Sequence, residues 1–179
     1  MDDKKMLGDE RREWILSQLK ESTNPITGAT LAKHSKVSRQ VIVGDITLLK
    51  ARNEPIIATS QGYMYMHIPA TQKRVEKTIA CFHQREQAEE ELHIIVDQGV
   101  TVKDVKVEHP VYGDLTASIM VSNRGEVQSF LQQINETNAA LLSDLTSGFH
   151  LHTLSADNEE AIERAEQALK LAGILIVDN

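Results

Sequence analysis

The sequence predicts an α+β protein of two domains, residues 1–70 built from short helices and one β-hairpin and residues 71–179 from an α/β sandwich. Three observations predict this. Before Asn53 the apolar residues recur at three- and four-residue spacings, as on amphipathic helices. Beyond Lys77 strand-like runs alternate with helical ones, the pattern of one sheet covered by helices. Between them Ala70 to Lys77 is polar and basic without a period, and the charge balance changes there. Up to Ala70 there are 10 Lys and Arg against 8 Asp and Glu; beyond it there are 9 against 18. An acidic domain joined to a mildly basic one suits a DNA-reading module attached to a sensor or dimerisation module, because phosphate neutralisation is a local matter.

Composition bounds the remaining possibilities. A chain of 179 residues with 41% hydrophobic content can form ordinary globular cores. The N-terminus, MDDKKMLGDERREW, is too charged for a signal peptide and the apolar runs are short, so a cytoplasmic location without a membrane segment is expected. Cys81 is the only cysteine, which excludes an internal disulfide and a multi-cysteine zinc site. With 4% aromatic residues there is little material for single-strand stacking platforms.

Asp9 to Ser22 carries Trp14, Ile15, Leu16 and Leu19 on one face and reads as a first helix, stopped by Thr23-Asn24-Pro25. A second begins near Thr27, buries Leu31 and Ala32 and ends by Ser35. Only Lys36 and Val37 then precede Ser38, whose hydroxyl can cap a third helix running to Arg52. There Ile42, Ile46 and Leu49 form the buried stripe, while Arg39, Gln40, Val43, Gly44, Thr47 and Lys50 point the other way. Two helices on so tight a connection, the later one polar at its exposed start, make a helix-turn-helix, which places that later helix in the major groove. Arg39 and Gln40 can each make paired hydrogen bonds to base edges, Arg to guanine and Gln to adenine. Asn53-Glu54-Pro55 ends the helix. Ile56 to Thr59 and Tyr63 to His67, flanking Ser60-Gln61-Gly62, read as a hairpin wing.

ITGATLAKHSKVSRQVIVGDITLLKARN, with the hairpin ending GYMY, resembles the winged helix-turn-helix of bacterial repressors, especially those with VSRQ at the start of the recognition helix. The match spans roughly residues 9–67. It implies double-stranded operator DNA as partner, contacted by Ser38, Arg39, Gln40, Val43, Thr47 and Lys50. Gly44 departs from a good helix former and weakens an exposed helix interior by about 1 kcal/mol relative to Ala.

In the second part, Thr78 to His83 reads as a strand, Glu86 to Gln98 as a helix ended by Gly99, and Val100 to Glu108 as a strand. The turn His109-Pro110-Val111-Tyr112-Gly113 leads to another strand, Leu115 to Val121. Ser122 is the expected cap of a helix from about Gly125 to Asn138. Phe149 to Leu154 is a strand, Asp157 the expected cap of a helix from Glu159 to Ala172, and Ile174 to Val177 a closing strand. No Gly-rich phosphate loop follows any strand.

His150 and His152 stand two apart in a strand, so both imidazoles project from one face and can converge on one ion. His83 ends another strand and Glu91 follows in the next helix. Three imidazoles and a carboxylate suit zinc, nickel or another late divalent metal. From spacing alone an H-x-H pair in a strand is more often two ordinary polar residues on an exposed face. His34, His67 and His93 have no partner pattern.

FHQREQAEEEL, VEHPVYGDL and TSGFHLHTLSA, in that order behind the winged helix, resemble the three-histidine (3H) ligand-sensing domain of the niacin-responsive repressors of NAD biosynthesis genes. That resemblance implies one divalent transition metal, zinc or nickel, on His83, Glu91, His150 and His152. It also implies nicotinic acid as corepressor and operator binding as a homodimer, without enzymatic activity. His109 matches the family and either faces the site or caps its turn, which also contains Tyr112. Thr146, Ser147 and Thr153, hydroxyls close in sequence to the two histidines, are further ligand-binding candidates. Two other readings stay open: a metal-dependent enzyme of small-molecule metabolism, for which an open metal site would serve, and a winged-helix regulator whose second domain only dimerises.

Overall fold

Each of two compact units, Met1–Ala70 and Thr71–Asn179, folds around its own apolar cluster in a computed structural model that describes residues 6–66 and 74–177. His67 and residues 70–73 of the expected boundary lie outside the described residues.

In the first unit, α1 (Gly8–Glu21), α2 (Gly28–Ser35) and α3 (Arg39–Ala51) surround a core of Ile15, Leu19, Leu31, Ile42, Ile46, Leu49 and Ile56. Burial of each such side chain stabilises by about 1.5 to 3 kcal/mol. The turn between α2 and α3 is fixed at both ends. Thr27 Oγ1 accepts from the Thr30 amide at 3.1 Å, Lys36 takes a left-handed conformation (φ 53°) that stops α2, and Ser38 Oγ accepts from the Val41 amide at 3.4 Å. The wing is an antiparallel hairpin of β1 (Ile56–Thr59) and β2 (Gly62–Tyr65). It docks on the chain entering α2 through reciprocal backbone bonds of 2.9 Å between Ile26 and Tyr63. At Gly62 (φ 136°) a Cβ would lie 2.6 Å from the Ile26 carbonyl oxygen, so only glycine permits this approach.

The second unit is a four-stranded, wholly antiparallel sheet in the order β3-β6-β4-β5, formed by β3 (Val75–Phe82), β4 (Thr101–His109), β5 (Gly113–Val121) and β6 (Phe149–Ala156). The apolar faces of α4 (Ala88–Asp97), α5 (Arg124–Thr137) and α6 (Glu159–Leu171) pack with the sheet in one core that includes Leu92, Ile95, Val127, Ile162 and Leu169. Along β6 the sides alternate, Phe149 and Leu151 exposed and His150 and His152 buried, which fixes the strand's register against solvent.

Several local expectations are corrected. The caps of α5 and α6 are Asn123 and Asn158, whose side chains accept from the Glu126 and Ala161 amides at 3.0 Å. Ser122 instead donates both its amide and its hydroxyl to the Glu126 carboxylate. The helix expected from Glu86 starts as a single 3₁₀ turn, Arg85–Gln87, and becomes α-helical at Ala88. Ile174 to Val177 makes only an isolated bridge, Cys81 to Leu175, with flanking bonds from the Phe82 amide to Ile174 and from the Ile176 amide to Ala80. β3 starts earlier than its apolar run, because Val75, Glu76 and Lys77 pair with Ala156, Ser155 and Leu154 of β6. Among the described residues no helix is long and apolar enough to cross a membrane.

Candidate functional site

Two surfaces carry chemistry, one in each unit. On α3 the side chains of Arg39, Gln40, Val43, Thr47 and Lys50 are all exposed, and Ser38 stands exposed at the cap. Gln40, Val43, Thr47 and Lys50 follow a three-four-three spacing and so form a single outward stripe. Thr47 Oγ1 donates to the Val43 carbonyl at 2.8 Å, which leaves it only acceptor capacity toward a partner. Gly44 lies within this face, and a Cβ there would meet nothing within 4 Å. The helix is held by a residue that the periodicity did not single out. Asp45 is buried and accepts from Arg11 Nε at 2.6 Å, Arg11 Nη2 at 3.2 Å and Arg12 Nη1 at 3.1 Å, tying α3 to α1. Its signal in the sequence was its place, three residues after Ile42 and beside Ile46, on the buried stripe.

In the second unit the helix-facing side of the sheet and α4 build a polar cluster inside an apolar core. His83 follows β3, His150 and His152 stand on β6, and Glu91 reaches down from α4; each is at most 5% exposed. All three imidazoles aim Nε2 at the Glu91 carboxylate, at 2.7 Å for His83, 3.1 Å for His150 and 3.3 Å for His152. All three Nδ1 atoms face backbone carbonyls, those of Gln84 at 2.7 Å, Gly148 at 2.9 Å and Asp104 at 2.7 Å. A carbonyl only accepts, so each Nδ1 carries hydrogen and each neutral ring presents a lone pair at Nε2. Three lone pairs directed at a carboxylate need something positive between them. Protons or a cation meet that need, and the His150 ring stands edge-on to His83 and His152 at centroid distances of 4.9 and 4.8 Å. Burial disfavours the charged forms of His83 and His152, yet the Glu91 charge and hydrogen bonds outweigh it and hold both above the ordinary histidine range. Burial also acts against the Glu91 carboxylate, but the three histidines together hold it well below the usual range. Fixed Nδ1–H tautomers and a buried carboxylate are the donor set that a borderline divalent cation takes.

Gly148 makes this convergence possible. Its φ is 106°, and a Cβ there would collide with the His83 carbonyl oxygen. Without one, the Gly148 carbonyl receives both the His83 backbone amide and His150 Nδ1–H, so one backbone oxygen fixes the chain at His83 and orients the His150 ring.

A cavity of about 160 Å³ adjoins the cluster, with Glu91 and the histidines at one end. Its walls are mainly apolar, including Leu92, Ile119, Phe130 and Leu142, with Ser143 as a hydroxyl. An engineered apolar cavity of about 150 Å³ holds benzene, so this space matches one six-membered ring.

The other ligand-binding candidates lie elsewhere. His109 Nδ1 accepts from the amides of Val111 and Tyr112 at 3.1 and 3.2 Å and thereby caps its own turn. Tyr112 is 74% exposed at that turn. Thr153 accepts from Lys106 Nζ at 2.8 Å, and the strand alternation puts it on the side away from His152. Thr146 donates within its own turn to the Ser143 and Phe149 carbonyls, and Ser147 is exposed in a left-handed conformation. Both line a separate, more open pocket of about 800 Å³ with Lys106, Phe149 and His150, whereas the 3₁₀ segment Leu142–Thr146 presents Ser143 to the smaller cavity. Cys81, which entered only as a count, is fully buried, and its sulfur lies with ligand atoms of Glu91 and His150, all within 4.8 Å of one another. Its signal was its position two residues before His83, at the strand's two-residue period.

Residues 11–64 match an HTH domain family and residues 76–178 the 3H domain family. The chain is 62% identical over 175 residues to "Transcription repressor NadR" of Bacillus subtilis, covering 97% of each protein. It is 39% identical over 172 residues to "Probable transcription repressor NiaR" of Thermotoga maritima, covering 96% of this chain and 97% of that protein. With an outward-facing helix-turn-helix and a buried histidine cluster in one chain, these matches show that the protein belongs to the family of transcription repressors that joins an HTH domain to a 3H domain.

Proposed function

We propose that this repressor senses nicotinic acid through a metal centre in its second unit and, as a homodimer, binds an operator controlling NAD biosynthesis or niacin uptake when the vitamin is plentiful. The observation that carries the reading is the convergence of three Nδ1–H histidines on one buried carboxylate beside a cavity of about 160 Å³. His83, Glu91, His150 and His152 would hold one divalent ion, zinc or nickel. When bound, the ion supplies a local positive charge and an open coordination position to a domain that is otherwise acidic. The cavity walls then take the pyridine ring. Ser143, the hydroxyl that lines this cavity, would meet a polar group of the ligand. The DNA half rests on the exposed stripe of α3, and a dimer follows from the need to cover two half-sites with two-fold symmetry.

Elemental analysis and calorimetric titration with nicotinic acid test the first half together. Wild type should carry one equivalent of metal and bind nicotinic acid. The double variant His150→Ala, His152→Ala should lose both while its first unit stays folded. Undiminished stoichiometric metal in the double variant overturns the site, and nicotinic acid binding by a properly metal-free wild type overturns its role as sensor.

A further inference from the structure

We propose that Cys81 is a fifth protein donor of the metal centre, its sulfur binding the same ion as Glu91 and His150. This rests on the metal reading above and adds a ligand that three histidines and a glutamate do not include. The sheet register carries it. On the helix-facing side of β3 the residues run Ile79 then Cys81, with His83 just beyond the strand, and on β6 they run His152 opposite Ile79 and His150 opposite Cys81. Cys81 and His150 are therefore a directly opposed cross-strand pair, the closest lateral relation a sheet offers. His83 and His152 are the diagonal neighbours on either side. A thiol at that position points into the polar cluster rather than away from it.

Cys81 differs from an ordinary core cysteine in what its sulfur meets. It is fully buried, and its sulfur, a Glu91 oxygen and a His150 nitrogen lie mutually within 4.8 Å, the one compact group of three or more metal-ligating side chains among the described residues. The independent sign of a cation there is the set of histidine lone pairs facing the carboxylate, with every Nδ1 already committed to a carbonyl. On coordination the sulfur–metal bond replaces the S–H bond and the proton leaves to solvent. Sulfur in the donor set favours zinc, nickel or cobalt over magnesium, calcium or manganese.

Cobalt(II) is the probe, because thiolate ligation gives a near-ultraviolet charge-transfer band that nitrogen and oxygen ligands do not. The full-length protein, freed of metal, is titrated with cobalt as wild type, Cys81→Ser and Cys81→Ala. The expected result is that wild type takes up one equivalent with the charge-transfer band. Both variants should take up cobalt without the band, and their zinc affinity, read by chelator competition, should fall by about 10- to 100-fold, the scale of a lost supporting group at a metal site. Cys81→Ser conserves volume, so a folding defect confined to Cys81→Ala leaves the comparison intact. Identical spectra lacking the band in all three proteins overturn the role of Cys81 while the histidine site stands. Failure of wild type to bind cobalt or zinc at all overturns the metal reading and this inference with it.

Discussion

Removing the metal should reverse the pH dependence of stability in the second unit. In the metal-free protein Glu91 is held below its ordinary value of 4.5, and His83 and His152 above theirs of 6.5. For a lowered acid, the stabilisation is present above the unfolded value and lost as pH falls through the folded one. For a raised base, it is complete below the unfolded value and lost as pH rises through the folded one. Metal-free protein is therefore most stable between 4.5 and 6.5 and weakens above that window. Each histidine proton held by the folded but not the unfolded chain contributes a downward slope of up to about 1.4 kcal/mol per pH unit. In zinc-loaded protein the sign changes, because the ligands must be unprotonated: below 6.5 the folded state binds fewer protons than the unfolded one, and stability rises with pH. Scanning calorimetry of both forms across this range follows the transition of the second unit. A flat metal-free profile above 6.5, or the same profile with and without zinc, would refute the proton-for-metal exchange.

Asp45→Asn leaves the buried Arg11 guanidinium without its anion, while Arg12 keeps Asp9, and should destabilise the first unit by about 3 to 5 kcal/mol. Urea unfolding followed by Trp14, the single tryptophan and a residue of α1, reads this directly, and a loss below about 1 kcal/mol would remove Asp45 as the brace of the reading helix. Gln40→Ala should weaken binding to the cognate operator by about 1 to 3 kcal/mol and binding to random DNA far less, as fluorescence anisotropy on both duplexes would show. Equal losses on the two would assign Gln40 to phosphate contact.

The strongly periodic parts of the fold were legible in the sequence and the compensating parts were not. Ile42, Ile46 and Leu49 placed the buried stripe of α3, and the alternation around His150 and His152 placed both rings on one side of β6, because both patterns arise from a single element's geometry. The brace at Asp45 and the place of Cys81 beside His150 escaped notice because they depend on a partner 34 residues away, Arg11, and on a strand pairing. The caps shifted by one residue for a local reason: Ser and Asp compete with the following Asn for the same amides, and Glu126 had already engaged Ser122. Which side of the sheet or turn the hydroxyls near the histidines face is geometry that spacing alone does not carry. A residue one position along a strand faces the opposite side, and a 3₁₀ turn redirects those that follow it.

Operator binding titrated with nicotinic acid, before and after chelation, is the most direct test of the coupling between the two units. The duplex is an inverted repeat selected from random sequence by the protein itself, and affinity is read by anisotropy. In metal-loaded protein nicotinic acid should tighten binding by about 5- to 150-fold, the equivalent of about 1 to 3 kcal/mol of coupling. After chelation the same titration should leave operator affinity at its ligand-free value, and returning zinc or nickel should restore the response. A nicotinic acid response that persists undiminished in protein stripped of metal would contradict the coupling.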